Sequence, residues 1–163
     1  MSIQRKTAVM ISTCMVAGSL FAAPTQAQEA ATQPTVAGFQ MAAVIDHAQG
    51  QAVVAGDYGQ AIASLGNTRR YFESSTNLCV AYTMTGELEK ANAECATALK
   101  ISKRKETRRD IAVALSNLGV LKAVSGDLDG AKSDFDRAVR VNSTLRQAND
   151  NLELLQVNRE SDA

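Results

Sequence analysis

The chain has little of what catalysis and polyanion binding require. It holds one histidine, His47, among 163 residues. Its neighbour Asp46 does not face the same way on a helix, so the two make neither an acid–base pair nor a metal site. His47 reads as a surface or groove position. No Cys-x-x-Cys and no His-Glu-x-x-His occurs, and no glycine-rich phosphate loop follows a strand. No hydroxyl residue has a visible base with an orienting partner. These gaps disfavour an enzyme, and no cofactor or metal is expected. Excess charge is lacking too: 17 basic residues balance 17 acidic ones, which gives no argument for nucleic acid.

Long apolar runs are also scarce. The one that exists, Ala8 to Ala23, follows Arg5-Lys6 and is broken by Pro24. Thr25-Gln26-Ala27 then offers a small residue for cleavage, the pattern of a secretory signal peptide. The run is short for a membrane span, which needs about 20 residues. Cys14 lies inside it after Ile11-Ser12-Thr13, whereas a lipidation site wants a Leu, then small residues, then the Cys before a spacer. Residues 1–27 are read as a signal peptide, and the mature chain, from Gln28, has no span. Residues 28–38, rich in Ala, Thr and Gln, bury little and are expected to be a flexible leader. Export is expected, with the periplasm as destination.

What the chain does have is a recurring phrase, Gly-acidic-bulky-x-x-Ala. It stands at Gly56-Asp57-Tyr58-Gly59-Gln60-Ala61, Gly86-Glu87-Leu88-Glu89-Lys90-Ala91 and Gly126-Asp127-Leu128-Asp129-Gly130-Ala131. An Asn-Leu pair recurs at 77–78, 117–118 and 151–152, the last two 34 residues apart. Such a period marks stacked helical hairpins. Leu115, Leu118 and Gly119 lie at helical spacing before Gly126, and Ala131, Phe135 and Ala138 after it. Gly126 suits a helix end and Asp127 the next helix start. Small Gly119 is expected opposite large Phe135. Gly50 inside the first presumed helix costs about 1 kcal/mol relative to Ala.

Leu115-x-x-Leu118-Gly119-x-x-Lys122 and Ala131-x-x-x-Phe135-x-x-Ala138 resemble the tetratricopeptide repeat (TPR). The Leu-Gly pair and the whole Ala-Phe-Ala set match; the aromatic ends of the first helix do not. The preceding unit keeps Tyr82, Ala91 and Ala98, with Cys95 in the Phe slot. The resemblance implies an all-α fold, a right-handed helical-hairpin solenoid of about three repeats over 39–158. A C-terminal capping helix, about Thr144 to Val157, would start after Ser143, and 159–163 would be a disordered tail. The turn glycines are 30 and then 40 residues apart, so six residues around Ser102 to Arg109 are inserted. If helical they add about 9 Å.

In this family the first helix of each hairpin lines a concave face. Periodicity places Val80, Thr83, Met84, Val113, Ser116, Val120 and Val124 there, an apolar surface with little charge. An extended or helical apolar segment is expected to fill it, from a partner, a second copy or the chain's own ends. Cys79 and Cys95 lie equidistant from the Gly86-Glu87 turn, hence level in an antiparallel hairpin. In an oxidising compartment they make a disulfide; two buried free thiols are the alternative. Lys100, Arg104 and Arg108 lie on one helical stripe, with Lys105 and Arg109 beside it, and Lys103 adds to this basic segment. It is either a solvated helix face or a docking patch for an acidic partner or anionic lipid surface. These features point to a non-enzymatic protein-binding or scaffold module of the cell envelope, with a protein or peptide partner or self-association. A holdase or carrier for apolar peptides or ligands is the alternative.

Processing provides a direct check. N-terminal sequencing of the exported protein should read from Gln28; a soluble cytoplasmic product retaining Met1 would overturn the export reading.

Overall fold

The structure, a computed structural model, describes residues 34–46 and 48–161. The expected signal peptide with Cys14, the leader as far as residue 33, and His47 lie outside the described residues. The described residues form seven helices: α1 (Ala48–Val54), α2 (Tyr58–Leu65), α3 (Phe72–Met84), α4 (Leu88–Lys105), α5 (Arg108–Val124), α6 (Leu128–Val141) and α7 (Arg146–Ser161). Two short strands precede them, β1 (Thr35–Val36) and β2 (Phe39–Gln40), paired antiparallel with Thr35 opposite Gln40 and Val36 opposite Phe39. The chain is therefore mostly helical. Each helix from α3 onward packs on the next in sequence, and α3 and α7 both touch α5.

The recurring phrase makes the turns. Gly56, Gly86 and Gly126 have φ of 83°, 77° and 86°, the left-handed region that a Cβ makes costly. The acid that follows begins the next helix. Asp57 accepts the Gln60 N–H at 3.2 Å and Asp127 accepts the Gly130 N–H at 2.9 Å, pairing donors that the first turn leaves free. Glu87 makes no such bond and pairs with Lys90 instead.

Close packing across the turns follows from residue size. Cys79 and Cys95 bring α3 and α4 together with Cα atoms 4.9 Å apart and their sulfurs at bonding distance, within the range a disulfide needs. Ala91 and Ala98 on α4 are buried and leave room for that approach. The equivalent pair in the next hairpin is Gly119 and Phe135. A Cβ on Gly119 would lie 2.5 Å from the Phe135 ring, so the ring occupies the space the glycine leaves. Buried Asp134 of α6 ties the same pair of helices by accepting Lys122 of α5 and Arg137 of α6, each at 2.6 Å.

Three boundaries differ from the sequence reading. The leader is structured from Pro34, because Ala37 and Gly38, with φ of 49° and 82°, make a two-residue hairpin turn whose twist suits paired strands. Val36 then packs against the core. The tail is helical through 161, because Arg159 reaches Asp129 of α6 at 2.6 Å. Ser143 does not start α7; Asn142 accepts the Thr144 N–H and hydroxyl at 3.1 and 2.8 Å and shapes the turn before it.

The Cys79–Cys95 link closes a loop of about 15 residues, worth about 3 kcal/mol in the chain-entropy model. The Cys79→Ala/Cys95→Ala chain should lose about that much in urea unfolding, and reductant should no longer affect it. Two thiols reactive in the denatured, unreduced parent would contradict the bond.

Candidate functional site

Residues 39–44 run extended across α3, α5 and α7. In an extended chain the N–H and C=O of one residue point to the same edge, and those of the next point to the other. The inner edge is taken by asparagines. Asn151 Oδ1 accepts the Gln40 N–H at 2.8 Å, and its Nδ2 donates to the Gln40 carbonyl at 2.8 Å. Asn117 does the same for Ala42, at 2.9 Å in both directions. Asn77 does it for Val44, at 2.8 and 2.9 Å. A side-chain amide offers one acceptor and one donor in the spacing of a peptide group, so each Asn substitutes for a neighbouring strand. On the outer edge the Met41 N–H donates to the Pro34 carbonyl at 2.8 Å. The three asparagines are buried.

Helical periodicity then sets the walls. Three residues after each rung stand Val80, Val120 and Leu154; four before stand Glu73, Val113 and Gln147. The segment's alternate side chains divide between the two. Phe39 and Met41 bury among Val80, Val120 and Leu154, where Phe39 also stacks on Phe135 with centroids 6.0 Å apart. Ala42 and Val44 go the other way, against Phe72 and Val113. Gly50 of α1 permits the segment's exit: a Cβ there would lie 1.8 Å from the Val44 carbonyl oxygen. That explains a glycine which is costly inside a helix.

Of the expected groove residues, several lie against residues 39–44 of the same chain. Val80 and Val120 touch the buried face of the segment, with Met84 and Val124 partly buried beside them. Val113 lies on the opposite wall. Ser116 sits beneath the ladder, 3.5 Å from Asn151 Nδ2. Thr83 is buried but donates its hydroxyl to Cys79 O of its own helix at 2.8 Å. The rungs themselves were the residues that sequence reasoning missed. Their signal was in view as the recurring Asn-Leu pair, read only as a repeat marker.

The basic segment does not form one stripe. Glu106, at φ 56°, ends α4, and Arg108 and Arg109 belong to the first turn of α5. The break removes the continuous helix on which Lys100, Arg104 and Arg108 would have aligned. Cations are disfavoured at a helix start. Arg108 turns instead to the C-terminal end of α6, where Nε and Nη2 donate to the Val141 carbonyl at 3.0 and 2.8 Å. Lys100, Lys103, Arg104, Lys105 and Arg109 are exposed.

At the α3–α5–α7 starts, a cavity of about 230 Å³ lies beside Ala42, lined by Phe72, Glu73, Arg109, Asp110, Val113 and Leu145 among others. Burial holds the Asp110 carboxyl above its ordinary pKa; Arg109 opposes the rise and Glu73 adds to it. No cluster of three or more His, Cys, Asp or Glu suited to a metal occurs among the described residues. None of their helices is long and apolar enough to cross a membrane. Compared with protein-family models, curated proteins and solved structures, the chain matches none.

Removing the central rung tests the ladder. Asn117→Ala leaves the N–H and C=O of Ala42 buried and unpaired, at about 1–3 kcal/mol for each group. The Ala42 amide should exchange much faster with solvent in this variant. Unchanged exchange and unchanged unfolding midpoint would show that the rung does not hold the segment.

Proposed function

We propose that this chain is a non-enzymatic peptide-binding module of the cell envelope. Its groove takes an extended segment by the backbone, and residues 39–44 are the occupant held in cis. The observation that carries this reading is the pairing of Asn77, Asn117 and Asn151 with every second residue of one extended strand. The six bonds between them engage only main-chain atoms, so any extended peptide without proline at those positions can make them. Selectivity falls to the walls, which favour apolar side chains where Phe39 and Met41 lie. Export fits the sequence of the first 27 residues and the Cys79–Cys95 link. The repeat resemblance fits the same use, because hairpin arrays generate extended binding surfaces.

A holdase or carrier role for apolar peptides is a second reading, supported by the same indifference of the rungs to side-chain identity. Binding of many apolar peptides, unaffected by salt, would favour it. A single defined partner with salt-sensitive affinity would favour a scaffold.

Displacing the cis occupant tests both. A Met41→Asp substitution puts a carboxylate into a fully buried site, which is costly enough to expel the segment. The substituted chain should retain its helix content and bind a labelled peptide of residues 34–46 that the parent ignores. Adding Asn117→Ala should abolish that binding. A folded Met41→Asp chain that ignores the peptide would refute the groove as a binding site.

A further inference from the structure

We propose that the chain docks on an anionic phospholipid surface through one edge of its helix array. The proposal goes beyond peptide binding and does not depend on what the groove holds. Successive helices run in opposite directions. The turns within hairpins therefore gather at one edge, and the turns between hairpins, residues 66–71, 106–107 and 142–145, gather at the other. Charge is sorted between these edges. With each helix divided at its middle, the half with the inter-hairpin turns holds eleven lysines and arginines against seven carboxylates, and the other half holds four against eight. Four of the described helices start at the basic edge and three end there, so their macrodipoles nearly cancel and leave its sign unchanged.

Pairing sharpens the contrast. Six of the described cations hold a carboxylate, among them all four of the acidic half, Lys90, Lys122, Lys132 and Arg159. The nine without an ion pair all stand at the basic edge, and all are exposed. Arg69 precedes α3, four lie within residues 100–105, Arg108 and Arg109 start α5, Arg140 is next to last in α6 and Arg146 starts α7. Helix chemistry accounts for part of this set. Cations are favoured near the ends of α4 and α6, and Arg108 bonds the Val141 carbonyl. Arg109 and Arg146 stand in first turns, where a cation is disfavoured, and no carboxylate pairs with either. Apolar groups are exposed beside them. Tyr71 is 52% exposed, with Arg69 over its ring at 5.6 Å. Ile45, 43% exposed, lines a cavity with Phe72 and Arg109 at the same edge. The other exposed large apolar side chains, Leu128 and Val157, lie at the acidic edge and include no aromatic.

This combination suits a headgroup layer, which attracts clustered lysine and arginine and accepts an amphipathic ring at its depth. The starts of α3, α5 and α7 are neighbours, so the free cations spread over about 20 Å at the usual spacing of packed helices. A fluid array of phosphates meets such dispersed, flexible side chains without matched spacing. A second copy's acidic edge fits less well. Glu87, Asp129 and Asp134 are already paired there, and Asp57 and Asp127 are engaged as helix caps.

Vesicle cosedimentation of the exported, processed chain tests this, since the apolar run of residues 1–27 would bind bilayers by itself. Vesicles of about 30% phosphatidylglycerol in phosphatidylcholine should bind at least about tenfold more tightly than pure phosphatidylcholine, and salt should weaken that binding. Lys103→Glu with Arg146→Glu, both at exposed positions, should lower the affinity at least about tenfold. Lys90→Glu with Arg159→Glu makes the same charge change at the acidic edge and should lower it no more than about twofold. Tyr71→Ser should weaken binding by a factor that salt leaves unchanged, because burial of a ring is not screened. Equal binding to the two vesicles, or equal losses from the two double reversals, would overturn the docking edge. Indifference to vesicles with tight binding of polyglutamate would replace the lipid by an acidic protein. Dimers at low salt that both double reversals dissolve, without vesicle binding, would give the edge to a second copy instead.

Discussion

An extended segment buried against helices has to place its amides somewhere, because helices pair their own backbone groups and offer none sideways. Here the amides are met by three side chains. Asn77, Asn117 and Asn151 each close a two-bond ring with one residue of 39–44. An unpaired buried backbone group costs about 1–3 kcal/mol, so without the rungs the segment could not stay in the groove. Without the segment, Val80, Val120 and Leu154 would face water. The positions of α3, α5 and α7 are therefore tied to one another through a strand that belongs to none of them.

Absent side chains matter as much as present ones. Gly119 lets Phe135 of α6 lodge against α5, and the same ring then forms the stacking surface for Phe39. Gly50 lets the Val44 carbonyl pass close to α1, at the point where the segment turns into the helices. Adding a methyl at either place would push on the occupant as well as on a helix contact. Packing at protein density leaves little slack to absorb it.

Charge has a supporting part. Asp134, nearly fully buried, holds Lys122 and Arg137. Arg70 reaches Glu94 at 2.8 Å and also donates to the carbonyls of Leu65, Gly66 and Thr68. It thereby closes the irregular stretch between α2 and α3. These contacts position elements and do not enter the groove, whose ladder is uncharged. The basic residues of α4 stay in solvent, and Arg108 serves a helix end.

The sequence by itself indicated the hairpin turns and favoured the pairing of Cys79 with Cys95, because each depends on local or hairpin-symmetric geometry. A glycine at positive φ, an acid at a helix start and residues equidistant from a turn are decided within about twenty residues of chain. It also pointed to Val80, Val113 and Val120 as lining one groove, although Val113 lies on the wall opposite Val80 and Val120. Only the tertiary structure decided what fills that groove. The bonds that do it join Gln40 to Asn151 and Ala42 to Asn117, 111 and 75 residues apart, and no local pattern encodes them. Residues 34–38 bury little by themselves, so they read as part of a flexible leader, and 39–44 read as the start of the helical repeats although they are extended. The asparagines carried a period but no visible partner, so they read as a repeat marker. The stripe through Lys100, Arg104 and Arg108 failed for the converse reason. One left-handed residue, Glu106, breaks a helix that periodicity alone would continue.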